Sequence, residues 1–134
     1  MKRPRSSSST AANRALTGPT PNPILSKAIQ SLFDQASGHV ALGELEEAAV
    51  LYRRCIELDP DHFDGWHALS MVLLKTDQLK EALGASLQAT TLRPNDLLAW
   101  TALSQIYVRL GDIANAEAAK ANSRILSMGG KVIR

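Results

Sequence analysis

A shift of 34 residues lays this chain on itself, and that self-match narrows its fold further than any other feature. Trp66 falls on Trp100, Leu69 on Leu103, Ser70 on Ser104, Ala82 on Ala116 and Leu92 on Leu126. One step back, Leu32 lies under Trp66, Gly43 under Asp77 and Gly111, Ala48 under Ala82, Leu58 under Leu92 and Pro60 under Pro94. A period of this length marks an array of supersecondary units, each unable to bury its apolar face alone and each covered by its neighbour. Three units follow: 29–62, 63–96 and 97–130.

Inside each unit the apolar residues recur at steps of three and four, as in Trp66, Leu69, Leu73 and then Leu79, Ala82, Leu83, Leu87. That spacing predicts two helices per unit. Between them stands Gly43, Asp77 or Gly111, residues that tolerate left-handed backbone at a helix end. The second helix is expected to stop before Pro60 and Pro94, since proline lacks the amide that continues a helix. Asp61 and Asn95 are then expected to cap the helix that follows.

The composition agrees with helices, being 45% hydrophobic but only 4% aromatic. Sheets draw on β-branched and aromatic residues instead. The lone cysteine, Cys55, excludes an internal disulfide and any zinc site made of cysteine pairs. No stretch reaches the roughly 20 apolar residues of a membrane span. The net charge of +2 is divided unevenly. Lys2, Arg3, Arg5, Arg14 and Lys27 stand in the first 28 residues without a single acid, and the rest of the chain is net acidic. Residues 1–23, rich in Ser, Thr, Pro and Arg, have almost nothing to bury and are expected to be a disordered basic tail. The folded body is expected over 24–130, with a short tail at 131–134. The cytoplasm is the expected compartment, or an organelle if the Arg- and Ser-rich start is a transit peptide.

These residues resemble the tetratricopeptide repeat, whose 34-residue unit places Trp, Leu, a small residue, an aromatic, Ala and Pro at set positions. Unit two matches at Trp66, Leu69, Ser70, Leu73, Ala82, Ala89 and Pro94, and unit three at Trp100, Leu103, Ser104, Tyr107, Gly111 and Ala116. Unit one fits at Ala36, Gly43, Ala48, Tyr52 and Pro60 but has Leu32, Gln35 and His39 where the pattern has Trp, Leu and an aromatic. Unit three lacks the closing proline and has Met128, Gly129 and Gly130 there. The resemblance implies an all-α fold, a right-handed superhelix of three helix-turn-helix repeats with a concave face lined by the first helices.

The same resemblance implies which side chains line that face: Gln30, Phe33, Ser37 and Val40, then Asp64, His67, Met71 and Leu74, then Leu98, Thr101, Gln105 and Val108, with Lys75 and Arg109 at the rim. Phe33, Ser37, His67, Met71, Leu74, Leu98, Thr101, Gln105 and Val108 are the expected partner contacts. Some members of the family clamp a chaperone's C-terminal carboxylate with Lys, Asn and Arg. The matching positions here read Phe33, Ser37, Ala68, Leu98 and Ala102, so that ligand is not expected. A buried Leu or Phe contributes roughly 1.5–3 kcal/mol, whereas micromolar binding needs about 8 net. Several anchors must therefore engage together, which suits an amphipathic helix or an extended peptide.

Other features read more plainly as structure. His39, His62 and His67 fall in different contexts without metal-ligand spacing, so no metal or cofactor is expected. Cys55 stands at an Ala position of the pattern and is expected to be a buried thiol. Glu44, Glu46, Glu47, Arg53 and Arg54 read as a solvated helix face. Ser6–Ser9 after Arg5 could accept phosphate, but a solubilising tail accounts for them. Three N-terminal charges without interleaved aromatics give no specific nucleic-acid site. With no phosphate loop, nucleophile elbow or paired catalytic motif, the chain is expected to be a noncatalytic module that binds a protein or peptide. The alternatives are a self-associating scaffold acting as a homodimer, or a noncatalytic subunit of a larger complex.

Overall fold

A computed structural model describes residues 22–133. Six helices follow in order: α1 Pro23–Ala41, α2 Leu45–Leu58, α3 Phe63–Lys75, α4 Leu79–Leu92, α5 Leu97–Leu110 and α6 Ile113–Ser127. No strand occurs among the described residues. The helices pack as the period requires, α1 on α2, α3 on α4 and α5 on α6, with α2 and α4 also seated against the first helix of the next pair. The result is an all-α helical solenoid. Apart from Asn22 and Pro23, the basic segment expected to be disordered lies outside the described residues.

The turn inside each repeat is made the same way three times. Gly43, Asp77 and Gly111 have φ of 78°, 63° and 80°, the left-handed region. The following amides bond back to the helix: Glu44 N to His39 O at 2.8 Å, Gln78 N to Leu73 O and Asp112 N to Tyr107 O, both at 2.9 Å. These closures satisfy carbonyls that a helix end leaves open. The turn between repeats is held by indole. Trp66 Nε1 donates to Pro60 O and Trp100 Nε1 to Pro94 O, each at 2.7 Å.

Two helix starts depart from the sequence-based expectation. The caps on α3 and α5 are His62 and Asp96, not Asp61 and Asn95. His62 Nδ1 accepts from Gly65 N and Asp96 Oδ1 from Ala99 N, both at 3.0 Å. Pro60–Asp61 and Pro94–Asn95 are consumed in reversing the chain, which moves each cap one residue on. Asp61 spends its amide on Asp59 Oδ1 at 3.1 Å. The first helix also begins earlier than Ile24, because Asn22 Oδ1 accepts from Ile24 N and Leu25 N and Pro23 sets φ at the first helical position.

Packing follows side-chain size. Ala36, Ala48, Ala82, Ala116 and Ser70 are buried where helices meet, and Leu69, Leu73 and Ile106 fill the spaces between. Ser104 sits at the same crossing and donates its hydroxyl to Ala116 O at 3.0 Å. Cys55 is fully buried with Sγ 3.7 Å from Ile29 O, and burial pushes its thiol pKa up. It is a packing residue.

The outer faces of the two end helices carry polar residues where inner repeats carry apolar ones, beside exposed Ile24 on α1 and Ile113 on α6. Leu69 and Val72 of α3, like Leu103 and Ile106 of α5, are buried against the preceding repeat. Their counterparts on α1, Gln35 and Gly38, are exposed, as are Ser31 and Asp34. At the far end Glu117, Lys120 and Arg124 are exposed where repeat one has Ala49, Tyr52 and Ile56. These are the solvated faces a repeat array needs at its ends, and they explain why unit one departs from the pattern at Gln35.

Enlarging a crossing residue should therefore cost stability, whereas restoring the pattern at the end should not. Ala82→Leu is expected to destabilise by about 1–3 kcal/mol through overpacking, and Gln35→Leu to stay within about 0.5 kcal/mol. Urea unfolding of both variants checks this; equal losses would contradict the placement of the end faces.

Candidate functional site

The candidate binding face is the one presented by α1, α3 and α5. Its first third is narrowed by Tyr52 of α2, although Gln30 and Ser37 are exposed there. Phe33 is half-buried, with Tyr52 5.3 Å away in a tilted arrangement and His62 edge-on at 5.6 Å. The Ser37 hydroxyl lies 3.1 Å from the Tyr52 hydroxyl. These two expected contacts are thus engaged by a side chain of α2.

The last third is open. Leu74, Thr101, Gln105 and Val108 line one cleft of about 630 Å³, completed on the α6 side by Glu117, Lys120 and Ser123. Val108 is 54% exposed and Leu98, nearer the start of α5, 63%. Thr101 is half-buried and shares a hydrogen bond of 3.2 Å with Ser123. Leu74, 7% exposed, belongs to the core cluster with Leu73 and Ile106 and forms the floor of the cleft. Gln105 is exposed and Met71 half-buried.

His67 stands between these regions. Its ring stacks on Phe63 at 5.8 Å with 3° between planes, and the Arg93 guanidinium covers Phe63 at 4.3 Å. Its Nδ1 is buried without a hydrogen-bond partner. Burial holds the His67 pKa below the ordinary histidine value, outweighing the upward pull of Asp96 and Asp64. With Glu117 in the cleft, those two carboxylates are acidic groups of this face. Asp64 lies in the first turn of α3 and Asp96 caps α5. The ion pairs among the described residues are His39–Glu44, Arg53–Glu81, Arg54–Glu57 and Arg109–Asp77, and neither carboxylate is in one.

One feature had no signal in the sequence. After α6 the chain turns at Gly129, φ 85°, and runs back to the α4–α5 turn. There the Asn95 amide donates to Ile133 O at 2.9 Å and accepts from Val132 N at 2.8 Å and Ile133 N at 3.1 Å. Asn95, expected as a helix cap, holds this returning segment instead.

The tetratricopeptide-repeat family profile matches residues 29–62 and, in another phase, 51–84. Residues 72–124 match the profile described as ChAPs, Chs5p-Arf1p-binding proteins. The chain thus carries tetratricopeptide repeats. Over 82 residues, 61% of its length, it is 30% identical to anaphase-promoting complex subunit 3 of Schizosaccharomyces pombe, of which it spans 12%. Three solved structures share its fold. MamA is 20% identical with a TM-score of 0.71, covering 76% of this chain and 60% of its own. The second repeat domain of Spaghetti (RPAP3), bound to an HSP90 peptide, is 23% identical with a TM-score of 0.71, covering 73% and 91%. The translocator chaperone SycD of Yersinia enterocolitica is 17% identical with a TM-score of 0.74, covering 80% and 81%.

The state of His67 has a measurable consequence. Because its folded pKa is lowered, the unfolded chain takes up the proton first as pH falls, so this residue costs stability below the ordinary imidazole value of about 6.5 and nothing above it. Between about pH 7.5 and about pH 5.5, on either side of that value, the melting temperature of the natural chain should fall further than that of His67→Gln. A constant difference between the two would contradict the neutral, buried ring.

Proposed function

We propose that the chain is a noncatalytic interaction module that holds a segment of a partner protein on the face of α1, α3 and α5. The observation that carries this reading is the open cleft lined by Leu74, Thr101, Gln105 and Val108, with Leu98 exposed nearer the start of the same helix. An open cleft with an exposed apolar side chain at its rim is a surface on which a partner's side chains can be buried. The proteins it resembles support the same class of work, since by their names one is a subunit of a complex, one binds a peptide and one is a chaperone.

The chemistry of the face argues against an anionic peptide of the kind bound by the RPAP3 domain. The clamp positions carry no Lys, Arg or Asn, and Asp64 and Asp96 would repel a carboxylate. Stacking of copies end to end is disfavoured by the charged outer face of α6 and the polar outer face of α1. The acceptable ligand is an amphipathic helix or extended segment with two or more apolar anchors.

Leu98→Glu with Val108→Glu should fold like the natural chain, because both sites are exposed, and should lose partner capture at least about tenfold, the equivalent of about 1.4 kcal/mol. Val50→Glu on α2 serves as the control. Affinity capture from native lysate, after matching circular dichroism and thermal melts, measures the loss. Equal capture by the double variant, or equal loss by the control, would remove this face as the binding site.

A further inference from the structure

Neither Asp64 nor Asp96 is in an ion pair among the described residues. Arg93 lies over the Phe63 ring that stacks on His67, and it pairs with neither carboxylate. His67 does not neutralise the pair, because its burial favours the uncharged ring. Leu98 follows Asp96 by two residues and is exposed, so an apolar anchor adjoins the two carboxylates at one end of the binding face.

The matching chemistry exists within this chain. Residues 1–21 carry Lys2, Arg3, Arg5 and Arg14 and no acid, with Leu16 two residues after Arg14. We propose that this basic N-terminal segment docks in cis on the acidic end of the binding face, its arginines against Asp64 and Asp96 and its apolar residues toward Leu98, and so competes with the partner for that face. The proposal rests on the reading of α1, α3 and α5 as the binding face, and adds its regulation.

The reach is sufficient. Asn22 caps α1, and Gln30 occupies in repeat one the position that Asp64 occupies in repeat two. From Pro23 to Gln30 is about 10 Å along the helix at 1.5 Å per residue. Each further first helix lies roughly 10 Å to the side. Asp64 is then within about 15 Å of Asn22 and Leu98 within about 25 Å. Arg14 stands eight residues before Asn22 and can extend up to roughly 26–29 Å. Tethering holds the segment near millimolar effective concentration, where half-docking requires about 4 kcal/mol of net interaction, so the ion pairs and the apolar contact at Leu98 must act together. Phosphate on Ser6–Ser9 would offset the basic charge and release it.

The buried thiol of Cys55 leaves the chain open to labelling at one chosen site. A nitroxide on Ala11→Cys in the full chain, read by paramagnetic broadening of backbone amide signals, reports where the segment lies. The expected result is broadening at Asp64, His67 and Leu98 and none at Val50 on α2. It should be lost in Asp64→Asn with Asp96→Asn, where Asn keeps the capping ability, and lost as salt shortens the Debye length from about 8 Å to about 3 Å. Absence of broadening, or broadening that survives the Asn variant, overturns the proposal. So does broadening only between a labelled and an unlabelled copy, which assigns the face to a second chain. None of these outcomes touches the capture experiment on Leu98 and Val108, which decides the binding face independently.

Discussion

Everything in this solenoid depends on how closely its helices can approach, and that distance is set where side chains are smallest. Ala36, Ala48, Ser70, Ala82 and Ala116 present no more than a methyl or hydroxymethyl group at the crossings. Dispersion contacts of the larger residues are gained only when backbones come close, because the attraction decays over fractions of an ångström. Leu69, Leu73 and Ile106 can therefore be completely enclosed by thin helices only because the crossing residues leave room. The turns then make the approach repeatable: the left-handed residue and its returning amide fix the angle within a pair, and the Trp66 and Trp100 indoles fix the step to the next.

This explains why the fold could be read from the chain before any coordinates. Crossing residues, left-handed turn positions and Trp–Pro contacts all recur at 34 residues, so each is supported by its counterparts. Even the departures carried meaning. Gln35 in place of Leu marked an outer surface, since a buried Leu is required only where another repeat lies against it.

What could not be read has physical reasons too. A Pro-Asp or Pro-Asn step announces a turn followed by a cap, but whether the cap is the first or second residue after proline depends on how much chain the reversal consumes. His62 and Asp96 were found one place late for that reason. Asn95 looked like a cap and holds the Val132–Ile133 backbone, a contact across 38 residues that no local pattern encodes. The groove positions came from resemblance to the family, which fixes the direction of a side chain but not its company. Phe33 has the Tyr52 ring against it, and Leu74 belongs to the core cluster while flooring the cleft.

The company is set by one register position on the second helices. Tyr52, Ser86 and Lys120 occupy it in turn. The Tyr52 ring reaches Phe33 and its hydroxyl reaches Ser37, narrowing the face at repeat one. Ser86 is too short to reach across and is buried with its hydroxyl unpartnered. Lys120 is exposed and lines the cleft without filling it. The face is thus narrowed at repeat one, where Tyr52 reaches α1, and open at repeat three, where Lys120 stands at the end of the stack with no following repeat to cover it. On the proposed function, apolar contact is offered first at α5, where Leu98 and Val108 are exposed, and then at half-buried Met71. That difference between its ends gives the face a direction that the near-identical repeats would otherwise lack.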